Sequence, residues 1–383
     1  MTNAENKTIN ENAKSGFFKR YFPLWAVVLF ALGVFFGIVY IISVFNTSFA
    51  DFVNGTAGAF FRRILSYVTY IFPFSVAELI ILMSPILLAV FFIYLFRIPQ
   101  EEKDKPKRIL ITLLACCIFL YSTYAVMFSV SYRATPVEEK LSLSAEKVSA
   151  EQLYDTGKIL LAELDVLSKK VMVTEDGFSK MPYSYNEMND RLNEAYKKLN
   201  GKYPSLCQKL TSKTKPVIFS EALTYLHIGG IYTFFTGESN INVHLPEFNV
   251  PYTAAHEMAH QRGIAAEDEA NLVGFLVCDL SDVAYIRYRG YLSLYMYVGN
   301  ALYDADAELY NSLVNEYMNV KIKNELIAYG KFFSKYEKSK ASEISSAIND
   351  LSLQSQGVPE GEKSYGLVVD LAVAYFLGEN NTK

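Results

Sequence analysis

Three apolar runs in the first third of the chain constrain its fold more than any other feature of the sequence. They extend over Leu24–Phe45, residues 75–95 and residues 109–130, and the only charge in any of them is Glu78. About 20 consecutive apolar residues cross the hydrocarbon core of a bilayer. The sequence therefore predicts a membrane domain with three transmembrane helices within residues 24–132.

The first run is predicted to be an uncleaved anchor rather than a cleaved signal peptide. Lys14, Lys19 and Arg20 precede it, as basic residues do in signal peptides. The run is longer than the roughly 7–15 apolar residues of a signal peptide, and no small-residue cleavage site follows it. We therefore expect it to stay in the membrane.

The distribution of Lys and Arg predicts the orientation. Basic flanks of transmembrane helices face the cytoplasm, and the connection between the first two runs has only Arg62 and Arg63. We expect the tail of residues 1–23 and the loop between the second and third runs to be cytoplasmic, and residues 133–383 to be an extracytoplasmic domain of a multi-pass cell-membrane protein. The basic residues of the tail and the loop are Lys7, Lys14, Lys19, Arg20, Arg97, Lys103, Lys105, Lys107 and Arg108.

Residues 56–74 are rich in aromatic side chains and contain the Arg62–Arg63 pair. This pattern is typical of an amphipathic helix at the membrane interface, and a packed re-entrant connection explains it equally well. Trp25 is placed to anchor the first run at the interface.

The net charge of −4 gives no indication of nucleic-acid binding, so we expect no nucleic-acid partner. The composition excludes no other class of function. Cys116 and Cys117 lie inside the third apolar run and are expected to pack there. Cys207 and Cys278 could form one disulfide, but their distance in sequence does not predict it.

After residue 133 the sequence changes to that of a mostly helical domain with a small β-sheet, so the predicted fold class is mainly α. Short β-branched and aromatic runs predict strands over residues 216–219, 230–235 and 240–244. Apolar residues at helical spacing predict helices over residues 138–171, 185–199, 272–280, 283–302, about 315–338 and 365–377. Residues 351–364 are predicted to form a loop.

The segment HEMAH places two of the four histidines one helical turn apart. His256 and His260 then project from one helix face and can both bind one Zn²⁺ ion. Glu257 lies beside them, where a carboxylate can accept a proton from a water molecule that a zinc ion has acidified. HExxH on a helix is typical of metallopeptidases; a solvated helix face with a histidine pair is the simpler alternative.

A catalytic zinc needs a third protein ligand, and acidic residues follow directly. Gly263 is suited to end the first helix, and Glu267, Asp268 and Glu269 open the next one, where acidic residues also favour the helix dipole. We predict Glu267 as the third ligand and Asn271, one turn on, as a residue that orients a ligand. Glu269 is the reserve candidate.

HExxH followed by Glu-x-x-Ala-Asn resembles the gluzincin metallopeptidases, in which two histidines and a downstream helical glutamate bind zinc. The stretches PFSVAEL, FTGESNINVHLPEFNVPYTAAHEMAHQRGIAAEDEAN and SYGLVVDLAVAYF resemble more closely a bacterial family of membrane-anchored zincin-like proteins, domain of unknown function 3810, over nearly the whole chain. The resemblance implies a zinc metallopeptidase with ligands His256, His260 and Glu267 and general base Glu257.

The chain departs from the gluzincin pattern in two ways. Six residues separate His260 from Glu267, where most gluzincins have a much longer insertion, and Asn271 stands where many have Asp. Ala266 occupies the position of the third ligand of metzincins, which excludes that geometry. The polar residues of the HEMAH helix also exclude catalysis inside the bilayer.

Residues 230–243 could provide an edge strand that binds an extended peptide, or could be a hairpin that only packs on the helix. His227, His244, Arg287, Tyr288 and Tyr365 are candidate donors to an oxyanion, and the sequence does not choose among them. We therefore expect a zinc-dependent peptidase of the membrane, acting on an unknown peptide or protein. The alternative is a non-catalytic membrane sensor or assembly factor with a structural or vestigial zinc site.

Overall fold

The computed structural model describes residues 24–97, 105–144, 146–336, 340–356, 358–359 and 367–378. The mainly α fold is confirmed: helices dominate, and one three-stranded sheet lies in the second half of the chain. The basic residues Lys7, Lys14, Lys19, Arg20 and Lys103, and the candidate Tyr365, lie outside the described residues.

The three predicted transmembrane helices are confirmed. They are α1 (Leu24–Phe45), α4 (Val76–Phe96) and α5 (Lys105–Met127), and each is long and apolar enough to cross a membrane. α1 packs along α5. The two backbones approach so closely at Gly33 that a Cβ there would lie 2.9 Å from the backbone nitrogen of Phe119, as is common where small residues lie between membrane helices.

α4 stays largely exposed along its length. It begins after Ser75, whose hydroxyl accepts a hydrogen bond from the Glu78 N–H, and it contains Pro85. Proline cannot donate to the carbonyl four residues earlier. The Ser84 hydroxyl donates to that carbonyl, the Ile81 oxygen, at 2.7 Å, so the helix continues through the proline.

The connection between α1 and α4 is helical and amphipathic. It consists of α2 (Thr47–Val53), one π-helical turn (Asn54–Gly58) and α3 (Ala59–Tyr70). The polar face of α3 is buried against the rest of the protein through Arg62, Ser66 and Thr69. The helix therefore combines the two sequence-based interpretations: it is packed on one face, and its other face exposes the apolar side chains Phe60, Phe61, Ile64, Tyr67 and Val68.

A 3₁₀ turn (Ser129–Arg133) leads from α5 into the part that we call the C-terminal domain, residues 137–378. Its helices are α6 (Val137–Lys140), α7 (Ala150–Ser168), α8 (Tyr185–Lys202), α9 (Ser220–Tyr225), α10 (Val250–Gln261), α11 (Glu267–Asp279), α12 (Ala284–Ala305), α13 (Ala307–Tyr317), α14 (Val320–Phe333), α15 (Lys340–Ser355) and α16 (Val368–Leu377).

Several predicted bounds were wrong. The helix predicted over residues 138–171 is interrupted, because Ser149 and Gln152 form a capping box that starts α7 at residue 150. The helix predicted around residues 315–338 breaks at Asn319, whose side chain caps α14. Residues 351–355 of the predicted loop continue α15, and α9 follows the strand predicted over residues 216–219, where no helix was predicted.

The sheet consists of β1 (Lys215–Pro216), β2 (Gly230–Thr233) and β3 (Glu238–Ile241) in the order β1-β3-β2. β1 is parallel to β3, and β2 is antiparallel to it with Gly230 opposite Ile241. β2 is thus an edge strand within the described part of the chain. All three strands are shorter than predicted.

The core of the C-terminal domain lies between α7, α10, α11 and α12. α10 is buried along almost its whole length, with the sheet on one side and α11 on the other. Cys207 and Cys278 are both free thiols, so they form no disulfide here.

Candidate metal centre

α10 carries both histidines of the HEMAH segment. Pro251 lies in its first turn, where the missing N–H costs no helical hydrogen bond. Alanines let neighbouring elements approach: the Tyr196 hydroxyl donates to the Ala255 carbonyl at 2.6 Å. At Gly274 of α11, a Cβ would lie 3.3 Å from the backbone nitrogen of His256. Close packing on both sides therefore holds the helix that presents His256 and His260.

Gly263 ends α10 and turns the chain toward α11. It has φ +92°, which a residue with a side chain rarely adopts. Its N–H donates to the His260 carbonyl at 3.0 Å, and the Ile264 N–H donates to the Ala259 carbonyl at 3.2 Å. These bonds form a glycine-terminated helix cap, and Glu267 follows as the first residue of α11.

The turn brings three side-chain atoms to one point. The Nε2 atoms of His256 and His260 lie 3.0 Å apart. One carboxylate oxygen of Glu267 lies 3.2 Å from the first and 3.4 Å from the second. We call these three residues the His-His-Glu cluster; among the described residues it is the group whose ligand atoms could hold one metal ion.

The imidazole of His260 is held by its other nitrogen. Nδ1 lies 2.8 Å from the Ile264 carbonyl, so Nδ1–H donates and Nε2 faces the cluster. Without an ion, burial opposes a charge on this ring, but the Glu267 carboxylate outweighs burial and raises the pKa of His260 to about 9. For Glu267, burial is likewise outweighed by the two histidines, and its pKa lies well below 4.5.

Glu257 is buried next to the cluster and against the edge strand. A Cβ on Gly230 would lie 2.6 Å from its Cγ, so the glycine makes room for this side chain. The backbone N–H of Tyr232 donates to its carboxylate. Burial raises the pKa of Glu257, and the negative charge of Glu267 adds to that rise, while the histidines and the N–H of Tyr232 oppose it.

Two other predicted residues of the site lie outside this arrangement. The carboxylate of Glu269 accepts a hydrogen bond from the Val137 N–H at 2.7 Å, at the start of α6. The side-chain oxygen of Asn271 lies 3.3 Å from the Tyr252 hydroxyl and 3.5 Å from that of Tyr297. Asn271 therefore contacts tyrosines rather than a residue of the cluster.

The candidate oxyanion donors that the structure describes are engaged elsewhere. The Nε2 atoms of His227 and His244 both lie 3.0 Å from oxygens of Tyr336. The guanidinium of Arg287 pairs with Asp279 and Glu163, and the Tyr288 hydroxyl donates to Glu325 at 2.6 Å. The sequence offered no way to see these partners.

Residues at the end of α5 adjoin the site, and sequence reasoning missed them. The ring of Phe128 lies 6.2 Å from that of His260 and 6.1 Å from that of Tyr232, between centroids. Burial raises the pKa of Tyr132, and the charge of Glu267 adds to that rise. A polar residue just beyond an apolar run could have been the signal, but both residues were assigned to the membrane domain of residues 24–132.

A second buried polar group ties the Gly263 turn to the membrane helices. The Asn54 amide donates to the Gly263 carbonyl at 3.0 Å. Arg62 is 1% exposed, and its guanidinium donates to the Met127 carbonyl at 3.1 Å, to Asn54 and to the Gln208 side chain at 3.3 Å. We call Asn54, Arg62 and Gln208 the junction.

A second contact joins the sheet to α4. The Glu238 carboxylate accepts hydrogen bonds from the N–H groups of Val76 and Ala77 at 3.2 and 2.8 Å. In return, Glu78 of α4 accepts bonds from the N–H groups of Ile218 and Phe219. β3, which begins at Glu238, is therefore fixed to the first turn of α4.

Comparison with known proteins gives one match. Residues 57–373 match the model of a family described as "Protein of unknown function (DUF3810)". Searches of curated proteins and of solved structures found no match. Because the family model covers most of the sequence, including α3, α4, α5 and the whole His-His-Glu cluster, the chain belongs to this family.

Proposed function

We propose that this member of the family is a membrane-anchored zinc metallopeptidase. The observation that carries the proposal is the convergence of His256, His260 and Glu267 within 4.8 Å, on two helices joined by one turn, with Glu257 buried beside them. Two histidines, a carboxylate and an adjacent glutamate are the usual equipment of a hydrolytic zinc site.

The spacing of the three atoms is close to what one zinc ion requires. Ligand atoms at about 2.0–2.2 Å from one tetrahedral ion lie about 3.3–3.6 Å from one another. The distances between the nitrogen and oxygen atoms of the cluster are 3.0, 3.2 and 3.4 Å. With Nδ1–H of His260 donating to a carbonyl, its Nε2 presents a lone pair, as a zinc ligand must.

Glu257 is the proposed general base. A bound zinc ion would polarise the scissile carbonyl and acidify a water molecule. The carboxylate of Glu257 accepts the proton from the attacking water and returns it to the leaving amine.

β2 is the proposed binding strand for the peptide. The Asn242 N–H donates to the Gly229 carbonyl, so in this antiparallel pair Ile231 and Thr233 bond to β3, while Gly230 and Tyr232 direct their backbone groups to the open edge. The Tyr232 N–H on that edge donates to Glu257, and a peptide that pairs with Tyr232 would replace this bond. An extended peptide that adds to β2 would therefore pass the general base.

The test uses the full-length protein in detergent, because the junction joins the membrane helices to the site. We expect about one zinc per chain in the wild type and in Glu257→Gln, and peptide hydrolysis only in the wild type. Glu194→Gln, a surface substitution beside Lys197, is the matched control and should keep both. A wild type without stoichiometric zinc would contradict the proposal.

A comparison of the wild type with Glu257→Gln also distinguishes the peptidase from a membrane sensor or assembly factor. A purely structural zinc site has no use for Glu257 and normally fills all four ligand positions. Equal cellular function of the wild type and the zinc-loaded Glu257→Gln variant would favour the non-catalytic role.

We also propose that the C-terminal domain is extracytoplasmic, as the basic loop flanks suggest. A reporter enzyme that is active only outside the cytoplasm, fused after Lys383, should be active. Activity of a cytoplasm-dependent reporter at the same position would reverse the orientation.

A further inference from the structure

We infer that the substrates are polypeptides anchored in the same membrane, cut in the segment next to their anchor. The inference rests on the proposed peptidase activity and adds the class of substrate. It comes from the position of the His-His-Glu cluster relative to the membrane helices. The end of α5 and the edge strand β2 lie beside the cluster, and α3 contacts Gln261, the residue after His260.

The end of α5 forms one wall of the site. α5 ends at Met127, and the ring of the next residue, Phe128, lies 6.2 Å from that of His260. One turn earlier, the ring of Tyr124 lies 5.2 Å from that of Phe234, just beyond β2. The metal cluster is therefore within one aromatic ring of a helix that crosses the bilayer.

α3 places the lipid surface beside the same wall. Its polar face reaches the site: Gln261 of α10 donates both to the Ser66 hydroxyl and to the Gly237 carbonyl in the β2–β3 turn. Its opposite face exposes Phe61, Ile64 and Val68. A helix with one polar face packed on protein and one apolar face exposed lies in the interface of a bilayer.

The open edge of β2 leads toward this surface. From Gly230, beside Glu257, to Phe234, beside Tyr124, the chain advances four residues, or about 13 Å at roughly 3.3 Å per residue. A peptide paired with β2 extends one of its ends along the same path. The bond beside Glu257 would then lie within about ten residues of the point where the peptide enters the membrane.

The experiment uses the zinc-loaded full-length protein in lipid nanodiscs. Peptides of one degenerate sequence pool are supplied either free in solution or fused to a transmembrane helix in the same disc, with spacers of about 10 to about 40 residues. Cut positions are mapped by mass spectrometry, and Glu257→Gln discs identify cuts from other sources.

We expect cuts in the anchored peptides to cluster within about ten residues of the anchor at every spacer length. Cuts spread along the long spacers, or equally fast cleavage of free peptides, would overturn the inference while leaving the peptidase in place. If the zinc-loaded wild type cut neither kind of peptide, the peptidase proposal itself would fall, and the inference with it.

A pair of variants tests the role of the lipid-facing helix. Val68 on α3 and Val166 on α7 are 55% and 50% exposed. Val68→Glu should lower the cleavage of anchored peptides several-fold and leave the cleavage of free peptides unchanged, because it weakens only the seating of α3 in the bilayer. Val166→Glu should change neither rate, and equal effects of the two variants would contradict the assignment.

Discussion

The junction and the His-His-Glu cluster are both buried polar groups next to the Gly263 turn, yet they differ in how their polar atoms are hydrogen-bonded. Every nitrogen of the Arg62 guanidinium has an acceptor: two carbonyls and two side-chain oxygens. In the cluster, by contrast, two imidazoles and a carboxylate face one another across 3.0–3.4 Å. Only shared protons can satisfy them without a further partner.

This difference separates a structural polar group from one that is arranged for a ligand. Buried polar atoms are normally paired within the protein, and the junction obeys that rule. The cluster departs from it: the buried Nδ1 of His256 has no hydrogen-bond partner among the described residues. We therefore expect the junction to respond to substitution with a loss of stability and the cluster to respond with a loss of metal.

The largest effect is expected in the cluster. Glu267→Ala should reduce bound zinc from about one per chain to background, because two histidines alone hold zinc weakly. Glu269→Ala, two residues along α11, should retain zinc, since Glu269 bonds to the Val137 N–H instead. Metal analysis of the purified variants measures both; zinc loss in Glu269→Ala and not in Glu267→Ala would reverse the ligand assignment.

In the junction, Arg62→Met should lower the free energy of unfolding by about 2–4 kcal/mol, because several buried hydrogen bonds to a charged group are lost together. Arg63→Met is the matched control, because the Arg63 guanidinium is exposed and donates a hydrogen bond of 3.2 Å to the Lys209 carbonyl. Thermal unfolding in detergent should show a clear drop for the first variant only. Equal melting temperatures of Arg62→Met and Arg63→Met would contradict the structural role of the junction.

Zinc binding to the metal-free protein should release about one proton near pH 7. The pKa of His260 is raised to about 9 without metal, so its ring is charged at pH 7 and must lose a proton to bind zinc. The release should fall as the pH rises through about 9. Calorimetry in buffers of different ionisation enthalpy measures it, and a constant release from pH 7 to pH 10 would contradict the coupling.

The smallest effect concerns the turn that the two regions share. Gly263→Ala should destabilise the protein by about 1–2 kcal/mol, because φ is +92° and a Cβ would lie 3.0 Å from Arg62, Asn54 and Gln208 atoms. Gly201 lies in α8 with open space around its Cα. Gly201→Ala should therefore leave the stability unchanged or raise it by about 0.5–1 kcal/mol. Denaturation of both variants checks the sign of each change.

Sequence reasoning predicted what depends on local pattern. The three membrane helices follow from unbroken apolar runs, and the pairing of His256 with His260 follows from helical spacing. The short turn to Glu267 was also within reach, because Gly263 permits the left-handed backbone that reverses the chain. These features depend on residues close to one another in sequence.

The parts that sequence reasoning missed depend on contacts between distant residues. Asn271 was expected to orient a ligand, but Tyr252 and Tyr297 lie against it. Phe128 reaches the cluster only because the end of α5 lies beside Tyr232 and Phe234, and no local spacing indicates that. The bounds of α7 and α14 moved because single capping residues, Ser149 and Asn319, outweighed the apolar periodicity.

Because Asn54 donates a hydrogen bond to the Gly263 carbonyl, the metal site depends on residues outside the C-terminal domain. A fragment that begins after residue 136 keeps the three ligands and the base, yet it loses the amide that holds their turn, the guanidinium behind it and the ring of Phe128 against His260. Such a fragment would also expose to water the rings of Tyr232 and His260 that Phe128 covers in the whole protein. Weak zinc binding by the severed domain would therefore report on the missing scaffold rather than on the ligands.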